Sequence, residues 1–154
     1  PLGVELAGAL KNVIAIAAGI CDGMELGDNA KSAMLARGLA EISRLGVALG
    51  AELETFFGIA GVGDLATTSF SPHGRNRTCG ERLGKGEDLK TITETMGSVV
   101  EGVSTTKAVY ELAKNKGVEM PIASAMYSVL FEELSMNDAI SLLMSRDLRA
   151  EQLR

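Results

Sequence analysis

The sequence predicts an all-α, multi-helical single domain over residues 1–154, and three observations carry that prediction. Apolar residues recur at helical spacing in several stretches. No stretch alternates apolar and polar residues for long enough to make a half-buried strand. Glycine, proline and capping residues punctuate the chain at helix-length intervals, with no internal repeat. Eight or nine helices are expected.

The first helix is centred on LAGALKNVIAIAAGIC, Leu6 to Cys21, and ends near Cys21-Asp22-Gly23. Leu6, Leu10, Val13, Ala17 and Cys21 share one stripe and Ile14 and Ala18 lie beside it, so the helix should be buried over most of its circumference. Asp28 is the expected N-cap of a second helix, whose apolar face is Met34, Leu35, Leu39, Ile42, Leu45 and Leu49, with Gly50 as its stop. A short helix from Glu52 to Phe57 leads into GIAGVGDLATTSF. SPHG is a turn, and RNRTCGERLGKG reads as a helix closed by its glycines. Asp88 caps a helix to Met96, and GSVVEG reads as irregular or briefly extended. Ser104 then opens a helix to Lys116, stopped by Gly117. Pro121 suits the first position of a helix running to Leu134. Asn137 or Asp138 caps a last helix through Leu142 and Leu143, and LRAEQLR is expected to fray.

Hydrophobic and charged contents of 46% and 23% are ordinary for a globular chain. A formal charge of −5 argues against a nucleic-acid partner. Cys21 and Cys79 have no metal-ligand spacing, and with one histidine a structural metal site is not expected. Free buried thiols in a reducing cytoplasm are the plainer reading of the two cysteines. The leading apolar run is shorter than the roughly 20 residues of a membrane span and carries a central lysine. No basic segment precedes it, as a signal peptide would require. The start at Pro1, directly into a helix, reads as a piece of a longer protein.

Lys11 and Asn12 are the only strongly polar residues between Glu5 and Asp22. Lys11 either snorkels its stem over apolar surface to reach water, or sits in a cleft as a catalytic lysine whose proton affinity its surroundings tune. GVGDLA, Gly61 to Ala66, matches G-x-G-x-x-A but has no strand before it, so a cofactor loop is rejected. Asp64 within it is either a helix N-cap or a carboxylate paired with Lys11. Gly74-Arg75-Asn76-Arg77 opens a helix, where backbone N–H groups and a guanidinium favour an anion such as phosphate; the other reading is a solvated basic turn. His73 reads as a turn residue, since no G-x-S-x-G motif supports a serine nucleophile.

Taken together, GALKN (Gly8–Asn12), CDGMELGDNAKSA (Cys21–Ala33), GVGDLATT (Gly61–Thr68), GRNR (Gly74–Arg77), VEG (Val100–Gly102) and LMSRDLRAE (Leu143–Glu151) resemble one family. It is the C-terminal, substrate-binding half of bacterial-type NAD(P)-dependent glycerol-3-phosphate dehydrogenase. The resemblance covers nearly the whole chain. It implies a fold of the 6-phosphogluconate dehydrogenase C-terminal-like kind, with a Rossmann domain upstream of Pro1. It implies interconversion of dihydroxyacetone phosphate and sn-glycerol 3-phosphate with NAD or NADP, feeding glycerophospholipid synthesis in the cytoplasm, with a homodimer as an open option. Lys11 would be the proton donor and acceptor. Asn12, Asp64, Thr68, Gly74, Arg75 and Asn76 would bind the phosphorylated three-carbon substrate. Arg75, Val99 and Glu101 would touch the cofactor, and no metal is implied. Many relatives carry Ser where this chain has Gly74, which matters only if the hydroxyl binds phosphate.

The residue types suit that chemistry. Hydride arriving at a carbonyl carbon puts charge on oxygen, which an ammonium stabilises and protonates. Burial lowers the proton affinity of Lys11 and a nearby Asp64 raises it, and the sequence leaves the balance open. The alternative is a non-catalytic helical protein-interaction module, which has no use for Lys11 and Asn12 and predicts no response to small phosphates. A related dehydrogenase acting on another phosphorylated or hydroxy-acid substrate is a third reading, which GRNR and GDLATT oppose.

Overall fold

Helix α1 (Leu2–Gly23) is the element against which most of the others pack in the computed structural model of the chain. The structure describes residues 2–56, 63, 65, 69, 71, 74–97 and 100–145. Among these the remaining helices are α2 (Asp28–Ala48), α3 (Leu53–Phe56), α4 (Arg75–Gly84), α5 (Leu89–Met96), α6 (Glu101–Lys116), α7 (Pro121–Phe131) and α8 (Met136–Ser145), and no strand occurs. The all-α prediction therefore holds. No helix among the described residues is long and apolar enough to cross a membrane.

Every residue from Val13 to Cys21 is buried, as the apolar run of α1 requires. The closest neighbour of α1 is α4, and glycine decides that. A Cβ on Gly80 would run into the carbonyl oxygen of Ile16, and one on Gly19 into that of Arg77. Gly23 and Gly84 repeat the arrangement one turn on, against Glu81 and Ile20. Successive contacts advance together along both helices, so α1 and α4 run in the same direction at backbone contact. The helix was expected to be closed by its glycines, and Gly86, past its end at φ 102°, does so; Gly80 and Gly84 lie within the helix and serve the contact with α1.

Most helix ends follow their predicted caps. The Asp88 side chain accepts the Thr91 N–H at 2.8 Å, and Gly97 and Gly117 end α5 and α6 in the left-handed region. Four boundaries differ. Asp28 is the first residue of α2 and not its cap, which is Gly27 with φ 92°. Helix α6 starts at Glu101 and not Ser104, because its N-terminus is capped from outside by Asn76. Helix α7 stops at Phe131 short of Leu134, with Glu133 at φ 59° turning the chain away. The hydroxyl of Ser135 caps α8 by accepting the Asp138 N–H at 3.1 Å, so neither Asn137 nor Asp138 is the cap. The LRAEQLR tail lies outside the described residues.

Two carboxylates, one buried and one half-buried, tie the helices together. Glu41 of α2, 2% exposed, accepts the N–H groups of Ile122 and Ala123 at 2.6 and 3.2 Å, capping the start of α7. Asp22 at the end of α1 takes Lys31 of α2 at 2.7 Å and Arg77 of α4 at 2.8 Å on the same oxygen. Cys21 and Cys79 are free and buried, and burial pushes both thiols up to about 11.

Candidate active site

The parallel packing of α1 and α4 lays the first turn of α4 beside Lys11 and Asn12. Between them opens a cleft of about 490 Å³. Gly8, Lys11 and Asn12 line it from α1, Gly74, Arg75 and Asn76 from the start of α4, and Glu101 from the start of α6. Six of these seven were expected from sequence as site residues, and they converge from three helices. Gly8 was not expected; it stands three residues before Lys11, on the same helical face, where it leaves the cleft floor without a side chain.

Each wall has a local cause. Lys11 and Asn12 are half-buried at the point where α1 emerges from the core. Gly74 is extended (φ −70°, ψ 129°) and makes no side-chain cap. Its own N–H faces the carbonyl oxygen of Ser71 at 3.4 Å. The first N–H groups of α4 have no intrahelical acceptor, and no acidic residue sits in its first turn. Glycine in place of a serine therefore leaves those donors and the positive end of the helix dipole open to an anion. Arg75 is exposed beside them.

Asn76 has a double task. Its Oδ1 accepts the Gly102 N–H at 2.8 Å, which fixes the orientation of the amide, since a backbone N–H can face only an acceptor. The NH₂ group is then the part of Asn76 that can be offered to a ligand. A side chain on Gly102 would meet Asn76 Oδ1 at 2.5 Å and the Asn12 carbonyl oxygen at 2.8 Å, so glycine is required where the three helices meet. Glu101, exposed at the rim, is the one carboxylate lining the cleft among the described residues.

Over residues 1–141 the chain matches the family model described as NAD-dependent glycerol-3-phosphate dehydrogenase C-terminus. The chain belongs to this family. It is 55% identical over 150 residues to the glycerol-3-phosphate dehydrogenase [NAD(P)+] of Staphylococcus aureus, covering 97% of this chain and 45% of that protein. Among solved structures it resembles the glycerol-3-phosphate dehydrogenase of Coxiella burnetii (TM-score 0.91, 41% identity, 94% of this chain and 45% of that one). It also resembles that of Saccharomyces cerevisiae (TM-score 0.84, 31% identity, 92% and 42%). The chain thus spans about half the length of the curated relatives it matches. The expected family and its helical fold are both borne out.

Within this dehydrogenase C-terminal fold, three expected site residues, Asp64, Thr68 and Val99, lie outside the described residues, as does His73. The pairing of Lys11 with Asp64 is therefore not part of the geometry above. What the cleft does bring together is an ammonium, a guanidinium, a side-chain amide and an open helix N-terminus, a donor set suited to a small phosphorylated molecule. Among the described residues no group of His, Cys, Asp and Glu side chains could hold a metal ion.

Proposed function

We propose that this chain is the substrate-binding and catalytic half of an NAD(P)-dependent enzyme that interconverts dihydroxyacetone phosphate and sn-glycerol 3-phosphate, and that it works with a Rossmann domain preceding it. The single observation that carries the reading is the convergence of Lys11, Asn12, Arg75 and Asn76 on one cleft at the positive end of α4. In this reading the phosphate sits at the first turn of α4, held by Arg75, the Asn76 NH₂ and backbone N–H groups. That places the three-carbon body toward α1. Lys11 then stabilises the carbonyl oxygen as charge develops on it and gives up a proton from Nζ; in the reverse direction neutral Nζ accepts the alcohol proton. Asn12, Asp64 and Thr68 orient the substrate around Lys11.

The nicotinamide cofactor, when bound, supplies or accepts the hydride. The rim of the cleft fits one edge of such a group, with the exposed Arg75 guanidinium as donor and the Glu101 carboxylate as acceptor, and Val99 stands one residue before the extended Val100. The other contacts belong to the preceding domain. A cytoplasmic, dimeric enzyme feeding glycerophospholipid synthesis is the setting we infer, in keeping with the two free thiols.

The test is kinetic. The full-length protein should oxidise NADH or NADPH with dihydroxyacetone phosphate, and Arg75→Ala should raise the Michaelis constant for that substrate, since a lost charge-assisted hydrogen bond costs about 1.5–3 kcal/mol. Unchanged constants for both substrate and cofactor would put Arg75 outside the site.

A further inference from the structure

We propose that Arg77 is a positioning residue for the phosphate-binding turn, acting through the main chain of Ser71. The inference rests on the functional reading above. Arg77 is 8% exposed and does not line the cleft. Each of its three donor nitrogens has a separate partner. Nη2 donates to Glu81 at 3.1 Å, one turn along its own helix. Nη1 donates to Asp22 at 2.8 Å, on α1. Nε donates to the Ser71 carbonyl oxygen at 2.8 Å, in the segment leading into Gly74.

A buried ion pair is a poor device for stability alone, because desolvation offsets its attraction and an apolar side chain packs as well. The planar guanidinium fork does something an apolar chain cannot: it fixes three groups in directions set by one plane. Here one of the three is the carbonyl that Gly74 N–H also faces, at 3.4 Å. Ser71 is thereby moored to Asp22, and Asp22 to Lys31 of α2 at 2.7 Å. Rotation of the turn would carry Gly74, Arg75 and Asn76 out of register with Lys11. The clamp holds that register before any ligand arrives, so phosphate binding need not order the turn.

The discriminating variant is Arg77→Lys in the full-length protein, which keeps the cation for Asp22 and loses the fork. The readouts are dissociation constants for inorganic phosphate and for NADH. Phosphate affinity should fall by roughly ten- to a hundredfold, as misplacement of a binding group does, and NADH affinity should fall by clearly less, because most cofactor contacts belong to the preceding domain. On an Arg75→Ala background Arg77→Lys should cost less than it does alone, because part of its effect runs through Arg75. Equal losses for phosphate and NADH, or a full additional loss on the Arg75→Ala background, would overturn the proposal. If Arg77→Lys does not fold, Asp22→Asn loosens the same clamp from α1 and should give the same selective loss. Unaltered phosphate affinity there also overturns it. An unaltered protein that binds phosphate yet turns over no dihydroxyacetone phosphate refutes the functional reading and leaves the clamp standing. One that binds no phosphate refutes both.

Discussion

Asn76 and Gly102, 26 positions apart, are joined by a 2.8 Å hydrogen bond from the glycine N–H to the side-chain amide oxygen. The same side chain therefore lines the cleft and caps α6. Asn76→Ala leaves a buried N–H without an acceptor and should destabilise the fold by about 1–3 kcal/mol. Asn76→Asp keeps the acceptor and should retain most of that stability, but it removes the NH₂ and adds a negative charge. Phosphate affinity should then fall in the order Asn, Ala, Asp, while stability falls in the order Asn, Asp, Ala. Urea unfolding and phosphate titration of the three proteins read both orders. Equal stability of Ala and Asp variants would remove the capping role.

The α1–α4 contact makes a second prediction. Gly80→Ala sets a methyl group against the Ile16 carbonyl, a backbone atom that cannot swing away. The cost should be about 3 kcal/mol or more, at the upper end of overpacking. Gly8→Ala, also in α1, has nothing within 4 Å of the added carbon among the described residues. It should be neutral or stabilising by up to about 1 kcal/mol, through helix propensity. Similar midpoints for the two variants in thermal unfolding would show that the helices can separate without penalty.

These cases show what was legible in the sequence. The apolar period of α1, the Asp88 cap, the Gly117 stop and the Pro121 start are local signals, and each came through. Lys11, Asn12, Gly74, Arg75, Asn76 and Glu101 line one cleft, a grouping that came from family motifs, which carry spatial information that periodicity does not. The start of α6 was misread because its cap, Asn76, comes from a distant part of the chain. The packing role of Gly80 was not legible for a similar reason. A glycine that ends a helix and one that admits another backbone look identical until the partner helix is known. Arg77 looked like one more base in a basic turn, and only burial distinguishes it.

The two thiols predict a pH dependence. Burial pushes Cys21 and Cys79 up to about 11 from the ordinary 9.0. A thiol with a higher pKa in the folded state holds its proton there after the unfolded chain has lost it. Its stabilising contribution is whole below pH 9 and is lost as pH rises toward 11. Unfolding free energy should therefore drop across that window, and the drop should shrink in Cys79→Ala, whatever that variant's absolute stability. Thiol-reactive dye at pH 8 should label the native protein only as fast as it opens. An equally steep drop in Cys79→Ala would assign the dependence to other groups.

Lys11 is the most exposed of the expectations. It reaches a cleft from a helix whose next nine residues, after Asn12, are all buried. If it only snorkels, its replacement should matter little; if it carries the proton, the chemical step should depend on it. Lys11→Met keeps most of the stem volume and removes the amine. In the full-length protein the turnover number should fall by about 10²–10⁴-fold, the usual contribution of general acid–base catalysis. The Michaelis constant for the phosphorylated substrate should change less, because the phosphate is held at α4. Thermal stability should be retained, since an apolar chain in a half-buried position carries no desolvation cost. A folded Lys11→Met protein with near-normal turnover would return the lysine to the surface class and leave the cleft a binding site without its proton carrier.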